Sequence, residues 1–200
     1  YYKSNNLIKL ESASKKLLKK FPNEIFVYNM LSISLVGQKK YGKAIAVLQK
    51  ALKIFPKSAE IICNIGNVFN AQKKYGKALK EYEQALSIKP GYAEVYYNIA
   101  NIQKEQKKFD ESSINYNKAI QIKPDYVDAY CNLGTVKKHQ QKIKEAIINY
   151  KKALKINPRH KNTIINLGYL NLSNENFQDG WKAHERRVEI LILYENLIFV

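Results

Sequence analysis

The sequence predicts an all-α fold in which antiparallel helix pairs stack side by side into a solenoid. Three observations lead to this prediction. The five prolines of the chain are separated by equal intervals of 34 residues, small residues keep the same register between them, and apolar residues recur at spacings of three and four. Spacings of three and four place side chains on one face of a helix, and an internal period of this length is typical of stacked helical repeats. The prolines are Pro22, Pro56, Pro90, Pro124 and Pro158.

Small residues occur at fixed positions of the repeat when each proline is numbered 32. Repeats then begin at Ile25, Ala59, Ala93, Val127 and Lys161. Position 8 is small in every repeat, as are positions 20 and 27 in the full repeats, where they are almost always alanine. Small side chains let two helices approach closely, and the aromatic residue at position 17 or 24 fills the space beside them. We therefore expect each repeat to be one tightly packed helix pair.

Each half of the repeat predicts one helix. In the repeat that begins at Ala59, the residues Ile62, Ile65 and Phe69 fall on one face of a first helix. Tyr82 lies between Ala78 and Ala85 on one face of a second helix. Proline then ends that helix, because it lacks an N–H group and disfavours helix in the preceding residue. A single pair cannot bury its apolar face, so neighbouring pairs must stack.

The register divides the chain into segments of four kinds. The N-terminal segment is predicted to be a partial repeat, four full repeats follow, and a divergent last repeat or set of capping helices precedes a short tail. The segments are 1–24, 25–58, 59–92, 93–126, 127–160, 161–195 and 196–200.

The composition is that of a folded, strongly basic protein. Apolar residues make up 46% of the chain, charged residues 26%, and only eight glycines and five prolines are present, which excludes a disordered low-complexity segment. The formal net charge is +17. Only Arg159, Arg186 and Arg187 are arginines, so lysine carries nearly all of the positive charge. Two interpretations are open: a lysine excess of coding origin, or a surface selected for an acidic partner.

No catalytic, cofactor or metal site is predicted in this chain. The three histidines are scattered, and neither a phosphate-binding glycine loop nor a paired set of metal ligands is present. Cys63 and Cys131 are far apart in sequence and are expected to be unpaired thiols of a protein in the reducing cytoplasm. The longest apolar run of the C-terminal segment, at residues 190–194, is far too short to span a bilayer. We therefore expect a non-enzymatic chain without a cofactor or a membrane partner.

The residues that define the repeat resemble those of the tetratricopeptide repeat. The segment from Ala59 to Asn67, followed by Tyr75, Ala78, Tyr82, Ala85 and Pro90, fits the pattern of that family closely. The resemblance covers nearly the whole chain. It implies a right-handed superhelix of helix pairs, whose concave groove is lined by the first helices and binds peptides or proteins.

Two columns of polar residues on the first helices are candidates for contacts in that groove. Position 6 is asparagine in four repeats and position 9 in two, which gives the predicted peptide-binding residues Asn64, Asn67, Asn98, Asn101, Asn132 and Asn166. An asparagine amide both donates and accepts hydrogen bonds, so a column of them could hold the main chain of an extended peptide. The columns are similar to those in the repeat domain of O-linked N-acetylglucosamine transferases. The alternative is that these asparagines are a common structural choice of the repeat.

A short element near the C-terminus resembles one found in bacterial proteins that combine this repeat with a glycosyltransferase-like domain. Gly180, Trp181, Glu185 and Arg187 match the element. The resemblance implies that the chain is the recognition region of a larger glycosyltransferase-associated protein, with any catalytic domain beyond Val200. The alternative is a terminal cap in which Trp181 covers the end of the core.

Two further interactions are predicted from the charge and from the tail. Lysine pairs recur at 39–40, 73–74 and 107–108, in the turns inside the first three full repeats, whereas the fourth has Gln141 and Lys142. The pairs supply an alternative function in which a basic surface binds an acidic partner or nucleic acid. Nucleic acid is the less favoured of these partners, because readers of phosphate usually use arginine. The tail beyond Val188 is apolar on more than one face. It is expected to fold back on the array, to pair with a second copy in a homodimer, or to pack on a further domain.

Overall fold

The computed structural model describes the backbone of residues 2–173 and the side chains of residues 6–171. This part of the chain contains only helices, which confirms the predicted all-α class. The helices are α1 (Tyr2–Lys20), α2 (Ile25–Gly37), α3 (Tyr41–Ile54), α4 (Ala59–Ala71), α5 (Tyr75–Ile88), α6 (Ala93–Glu105), α7 (Phe109–Ile122), α8 (Val127–His139), α9 (Ile143–Ile156) and α10 (Lys161–Ser173). None of the helices described is both long and apolar enough to span a membrane.

The turns that follow the second helices contain the prolines, as the sequence predicts. Pro56, Pro90, Pro124 and Pro158 each stand two residues beyond the end of their helix. Pro22 occupies the corresponding place after α1. The helices therefore end where proline removes the next backbone donor.

Backbone hydrogen bonds close the turns inside the repeats. After α4, the N–H of Lys73 donates to the carbonyl of Asn70 at 2.8 Å, and that of Lys74 to the carbonyl of Phe69 at 2.9 Å. This pair of bonds is a Schellman motif, and it requires a left-handed residue that is usually glycine. The chain uses other residues there, and their φ angles are 57–60°: Lys39, Lys73, Lys107 and Gln141. The sequence analysis placed these lysines in turns but did not anticipate their left-handed backbone.

The chain divides into two compact units, which we call unit 1 (Tyr1–Asn98) and unit 2 (Ile99–Val200). In unit 1 each helix from α1 to α4 packs against the next one along the chain. The core is formed by large aliphatic residues together with alanines at the predicted small positions: Tyr28, Leu31, Leu35, Ala44, Leu48, Ala51, Ile61, Ile65 and Val68. Between α4 and α5, Gly66 leaves room for the fully buried Tyr82, whose Cε1 lies 2.6 Å from where a Cβ would be.

A buried carboxylate joins α1 to the turn between α2 and α3. Glu11 accepts hydrogen bonds from Lys15 at 2.6 Å, from Gln38 at 2.8 Å and from Lys40 at 3.0 Å. The bonds from Lys15, Lys40 and Gln38 lower the pKa of Glu11 to about 2. The N-terminal helix is therefore held by a charge-assisted contact as well as by apolar packing.

Unit 2 repeats the same packing. Helix α8 packs against α7, α9 and α10, and its core contains Cys131, Ala146, Tyr150 and Leu170. Gly134 stands against the fully buried Tyr150, whose Cε1 lies 2.7 Å from the position of an added Cβ. The close approach predicted at position 8 therefore occurs in both units.

Candidate peptide-binding face

The six predicted asparagines lie on first helices of both units. We call this set the asparagine face: Asn64 and Asn67 in α4 and Asn98 in α6 belong to unit 1, and Asn101 in α6, Asn132 in α8 and Asn166 in α10 belong to unit 2. Asn67 is exposed and the other five are half-buried. All six are thus at least partly accessible.

In unit 1 the asparagine side chains bond to one another. The Nδ2 of Asn64 donates to the Oδ1 of Asn29 at 2.7 Å, and the Nδ2 of Asn67 donates to the Oδ1 of Asn64 at 3.3 Å. The Nδ2 of Asn98 donates to the Oδ1 of Asn67 at 3.0 Å. Asn29 itself donates to Glu60. The amides therefore form a continuous chain of hydrogen bonds within the unit.

A buried tyrosine anchors this chain of amides. The hydroxyl of Tyr82 donates to the Oδ1 of Asn67 at 2.7 Å, so that oxygen accepts from both Tyr82 and Asn98. Burial raises the pKa of Tyr82, which keeps its hydroxyl protonated as a donor. We call this arrangement a relay: a tyrosine at repeat position 24 and an asparagine at position 6 of the next repeat both bond to the side chain at position 9.

Unit 2 contains two relays of the same kind. Tyr116 and Asn132 both donate to the Oδ1 of Asn101, the second at 3.1 Å. In the next relay Thr135 replaces asparagine, and its Oγ1 lies 3.1 Å from the hydroxyl of Tyr150 and 3.4 Å from the Nδ2 of Asn166. The Oγ1 of Thr135 also donates to the carbonyl of Cys131 at 3.1 Å. Because a hydroxyl has one hydrogen, Tyr150 is the donor in its bond to Thr135.

These bonds determine which hydrogen-bond donors and acceptors of the asparagine face are left for a ligand. The oxygens of Asn67 and Asn101 each accept two hydrogen bonds already, which fills their two lone pairs. In unit 1 the Oδ1 of Asn98 accepts from no described side chain, and its amide uses one of two hydrogens. These residues were predicted from the sequence but their bonds to one another were not, because the tyrosines at position 24 were expected only to fill space between helices.

An apolar hollow in unit 1 was missed by the sequence analysis. It lies between α2 and α4, has a volume of about 130 Å³, and is lined by Ser32, Ile33, Val36, Asn64, Asn67 and Val68. Ile33 is 62% exposed, and Phe26, seven residues before it on the same helix face, is 68% exposed. The signal was present in the sequence, since Phe26, Met30 and Ile33 occupy positions that are mostly polar in the later repeats.

The cysteines and the other titratable groups do not form a reactive site in the part of the chain that is described. Burial raises the pKa of the Cys63 thiol to about 12 and also raises that of Cys131, so both are protonated at neutral pH. Both cysteines are free and buried. Within residues 6–171 no three side chains of histidine, cysteine, aspartate or glutamate converge as metal ligands would.

Two predicted features lie outside the described residues. The element that contains Gly180, Trp181, Glu185 and Arg187 is one of them, and the apolar tail beyond Val188 is the other.

The lysine turns are described, and Lys39, Lys73 and Lys107 are exposed there. Lys40 is paired with Glu11 at 3.0 Å.

Several solved structures have a fold similar to that of this chain, and they belong to differently named proteins. The chain has a TM-score of 0.75 to pilF of Pseudomonas aeruginosa, with 23% identity over 81% of this chain and 74% of that one. It has a TM-score of 0.78 to BtubC from P. vanneervenii, with 18% identity over 96% and 91% of the two chains. For YrrB, described as a TPR protein with an unusual peptide-binding site, the TM-score is 0.61, with 17% identity over 89% and 92%. Because the sequence identities are 23% or lower, these likenesses show a shared fold and nothing more.

Family models give a more direct assignment. A model of the TPR repeat matches residues 34–72, 66–107 and 101–141, and a model of the tetratricopeptide repeat matches residues 127–160. A comparison with curated protein sequences finds no match. Because the matched residues make up more than half of the sequence, and because the described helices pair as such repeats do, the chain belongs to the tetratricopeptide repeat family.

Proposed function

We propose that this protein is a protein-interaction scaffold that holds an extended segment of its partner on the asparagine face. The relays are the observation that supports this proposal. They hold partly accessible amide groups at intervals of one repeat, and each relay is fixed by a buried tyrosine. Polar groups held in one orientation before binding lose little conformational entropy when a ligand arrives.

The contacts that we expect are mostly to the main chain of the partner. In unit 1 the free oxygen and the second amide hydrogen of Asn98 would pair with one N–H and one carbonyl of an extended peptide. The hollow beside Asn64 and Asn67 would take one aliphatic side chain, since its volume of about 130 Å³ is well below that of a typical small-molecule pocket. Binding would then depend weakly on the sequence of the partner.

Replacing Asn98 and Asn132 by alanine tests this function. We expect the double variant to bind a fluorescent extended peptide more weakly by roughly 1 kcal/mol for each lost contact. The same change removes the bonds from Asn98 to Asn67 and from Asn132 to Asn101, so some loss of folding stability is also expected. Binding must therefore be measured per folded molecule, by anisotropy on samples whose folded fraction is known from circular dichroism.

Asn117→Ala is the matched control, because this exposed asparagine lies on α7, a second helix. It should leave both binding and stability unchanged. If the double variant loses stability but binds as tightly per folded molecule as the original chain, the asparagines are structural and the proposal fails.

We further propose that the chain is the recognition region of a larger bacterial glycosyltransferase-associated protein. Its support is the match at Gly180, Trp181, Glu185 and Arg187. The coding sequence that follows Val200 tests it: a glycosyltransferase domain in frame supports the proposal, and an unrelated domain or a stop contradicts it. The unpaired cysteines support a cytoplasmic location for the same protein.

Homodimerisation through the apolar tail is a separate proposal. Its support is the run of aliphatic residues from Ile190 to Leu193, which would be costly to leave in water. Sedimentation should detect a concentration-dependent dimer that Leu191→Glu abolishes. A monomer at all concentrations contradicts it.

The exposed lysine turns favour a second candidate function, the binding of an acidic partner or nucleic acid. Lys39, Lys73 and Lys107 are exposed on left-handed turns whose backbone bonds make no use of their side chains. Salt separates the two functions, since phosphate binding weakens steeply between low and moderate salt. Binding through the asparagine face should change little over the same range.

A further inference from the structure

One side of α2 is apolar at the repeat positions that are polar in α4. Phe26, Met30 and Ile33 follow one another at spacings of four and three, so they lie on one face of the helix, and Val36 lies beside them. We call these four residues the apolar face. Phe26 is 68% exposed and Ile33 is 62% exposed. The helix contains no charged residue, so nothing on α2 itself makes this face polar.

The contrast with the next repeat makes the apolar face distinctive. The same four positions of α4 are Glu60, Asn64, Asn67 and Asn70. The hollow of about 130 Å³ lies between the two helices and is lined in part by Ile33 and Val36. Exposed apolar side chains that adjoin a concave surface are typical of an interaction site. Burying them against another apolar segment removes their contact with water and is therefore favourable.

The chain itself contains a segment of matching chemistry outside the described residues. Residues 188–200 comprise ten aliphatic or aromatic residues, two glutamates and one asparagine. The whole chain carries a net charge of +17, so most surfaces of two copies repel each other. This segment has no lysine or arginine, and Lys39 and Lys73 are exposed in the turns after α2 and α4. Its charge therefore suits that end of the two helices.

We propose that residues 188–200 of a second copy bind the apolar face, with one aliphatic side chain of the run Ile190–Leu193 in the hollow. This inference rests on the homodimer proposed above and names the surface that the tail contacts. Each contact is heterologous, because the tail of one copy meets a different surface of the other. A reciprocal exchange of tails closes such a pair into a dimer.

Ile33→Glu tests the surface, and Ile148→Glu is the matched control. Ile148 is 52% exposed on α9, so both variants place the same charge at an accessible isoleucine. In sedimentation velocity we expect Ile33→Glu to weaken self-association at least about tenfold, because a carboxylate would be buried in an apolar contact. Ile148→Glu should associate as the original chain does. Equal weakening in the two variants would overturn the proposal.

Phe26→Ser provides a second variant of the same face. It should weaken self-association in the same direction as Ile33→Glu, and circular dichroism must show that both variants remain folded. If both are folded and associate as tightly as the original chain, the apolar face does not bind the tail. The homodimer then stands through contacts between the two tails, and the proposal fails.

A mixture of two deficient variants shows whether the tail and the apolar face meet. Ile33→Glu has an unchanged tail, and Leu191→Glu has an unchanged apolar face. Neither should self-associate, whereas an equimolar mixture should form a heterodimer held by one tail and one face. A mixture that stays monomeric would overturn the proposal, since the two substitutions would then disrupt one shared interface.

The remaining outcomes separate this proposal from the proposed scaffold function. If the original chain is monomeric at all concentrations, the tail contact and the homodimer both fail, and peptide binding on the asparagine face is unaffected. Raising the salt from about 0.15 M to about 0.5 M should leave self-association unchanged or tighten it, because salt screens the repulsion between two basic copies. A steep loss over this range would overturn the proposal by showing that charge rather than apolar contact joins the copies.

Discussion

In unit 1 the relay at Asn67 lies beside a hollow lined by Ile33, Val36 and Val68, and Phe26 stands exposed on the neighbouring helix. In unit 2 the relay at Asn101 includes Asn132, which also accepts a hydrogen bond from the ammonium of Lys104. The hydrogen bonds of the relays are nearly the same in the two units, whereas the side chains around them are apolar in one and cationic in the other. The relay is therefore common to the two units, and the side chains around it differ in chemistry.

This difference separates the residues that join neighbouring repeats from those that would contact a ligand under the proposed function. Tyr82, Tyr116 and Tyr150 are fully buried and only their hydroxyl groups reach the asparagine face. Ile33 and Lys104 are not required by the relay, since Thr135 and Tyr150 form one without either of them. Substitutions in the first group should change stability in both units, and those in the second should change binding in one.

The largest expected effect comes from replacing the glycine at which two helices approach closely in each unit. In Gly66→Ala the new Cβ would meet Tyr82 at 2.6 Å and the carbonyl of Ala78 at 3.3 Å. In Gly134→Ala the new Cβ would meet Tyr150 at 2.7 Å. Because the tyrosines are fully buried and hydrogen-bonded, we expect each substitution to lower the free energy of unfolding by about 2–3 kcal/mol in urea titrations.

Gly76→Ala is the control for this prediction. An added Cβ there meets nothing within 4 Å, so the substitution should raise stability by up to about 1 kcal/mol. If Gly66→Ala is neutral while Gly134→Ala is strongly destabilising, the close helix contact does not contribute equally to the two units, and the prediction is wrong.

A smaller effect distinguishes the relays of the two units. Tyr82→Phe removes one of two donors to Asn67, and we expect a loss of about 1 kcal/mol. Tyr150→Phe should cost roughly half as much, because the hydrogen bond between Tyr150 and Thr135 is longer, at 3.1 Å against 2.7 Å for Tyr82 and Asn67. Urea titrations of the two variants check the order, which a larger loss in Tyr150→Phe would contradict.

The last comparison concerns the response of the two units to acid. The pKa of Glu11 in unit 1 is lowered to about 2 by its three bonded neighbours, so its stabilising contribution is present above the unfolded pKa near 4.5 and is lost as the pH falls toward 2. In unit 2 the bond from Lys137 lowers the pKa of Glu145, but this carboxylate is exposed and its ion pair is screened by salt.

Hydrogen exchange at moderate salt measures this difference. Amides of α1 and α2 should lose protection between pH 4.5 and 2, and Glu11→Gln should flatten that dependence. Glu145→Gln serves as the matched control and should leave the acid response of unit 2 unchanged. A stronger acid response in unit 2 than in unit 1 would contradict the assignment to Glu11.

The sequence was sufficient for the fold because helix pairing depends on features that recur in register. The small residue at Gly66 and the aromatic residue at Tyr82 predicted a close contact between two helices, and the structure contains it. The hydroxyl of Tyr82 could not be assigned a partner in the same way, because its bond to Asn67 depends on the rotation of α5 against α4. Periodicity predicts which face a residue occupies but not which atoms meet.

The charge and turn features were harder to predict for different physical reasons. Glycine or asparagine is the usual residue at a left-handed helix end, so a lysine such as Lys73 carries no signal of its positive φ. The hydrogen bond from Lys104 to Asn132 joins two repeats, so the pattern within one repeat carries no signal of it. The hollow at Ile33 depends likewise on two neighbouring repeats. The close packing of helices within one repeat was predictable, whereas contacts that join two repeats were not.

The relay also bears on how an array of this kind can lengthen during evolution. Each relay draws its tyrosine from 15 residues away and its amide from 31 residues away, so its bonds never reach beyond the adjacent repeat. A gene duplication that inserts one unit of 34 residues in register would bring both a new donor and a new acceptor, and no polar group would be left unmatched at the junction. An insertion of any other length would separate tyrosine from asparagine. The hydrogen bonds of the relay are therefore kept when a whole repeat is inserted and are lost when part of a repeat is inserted.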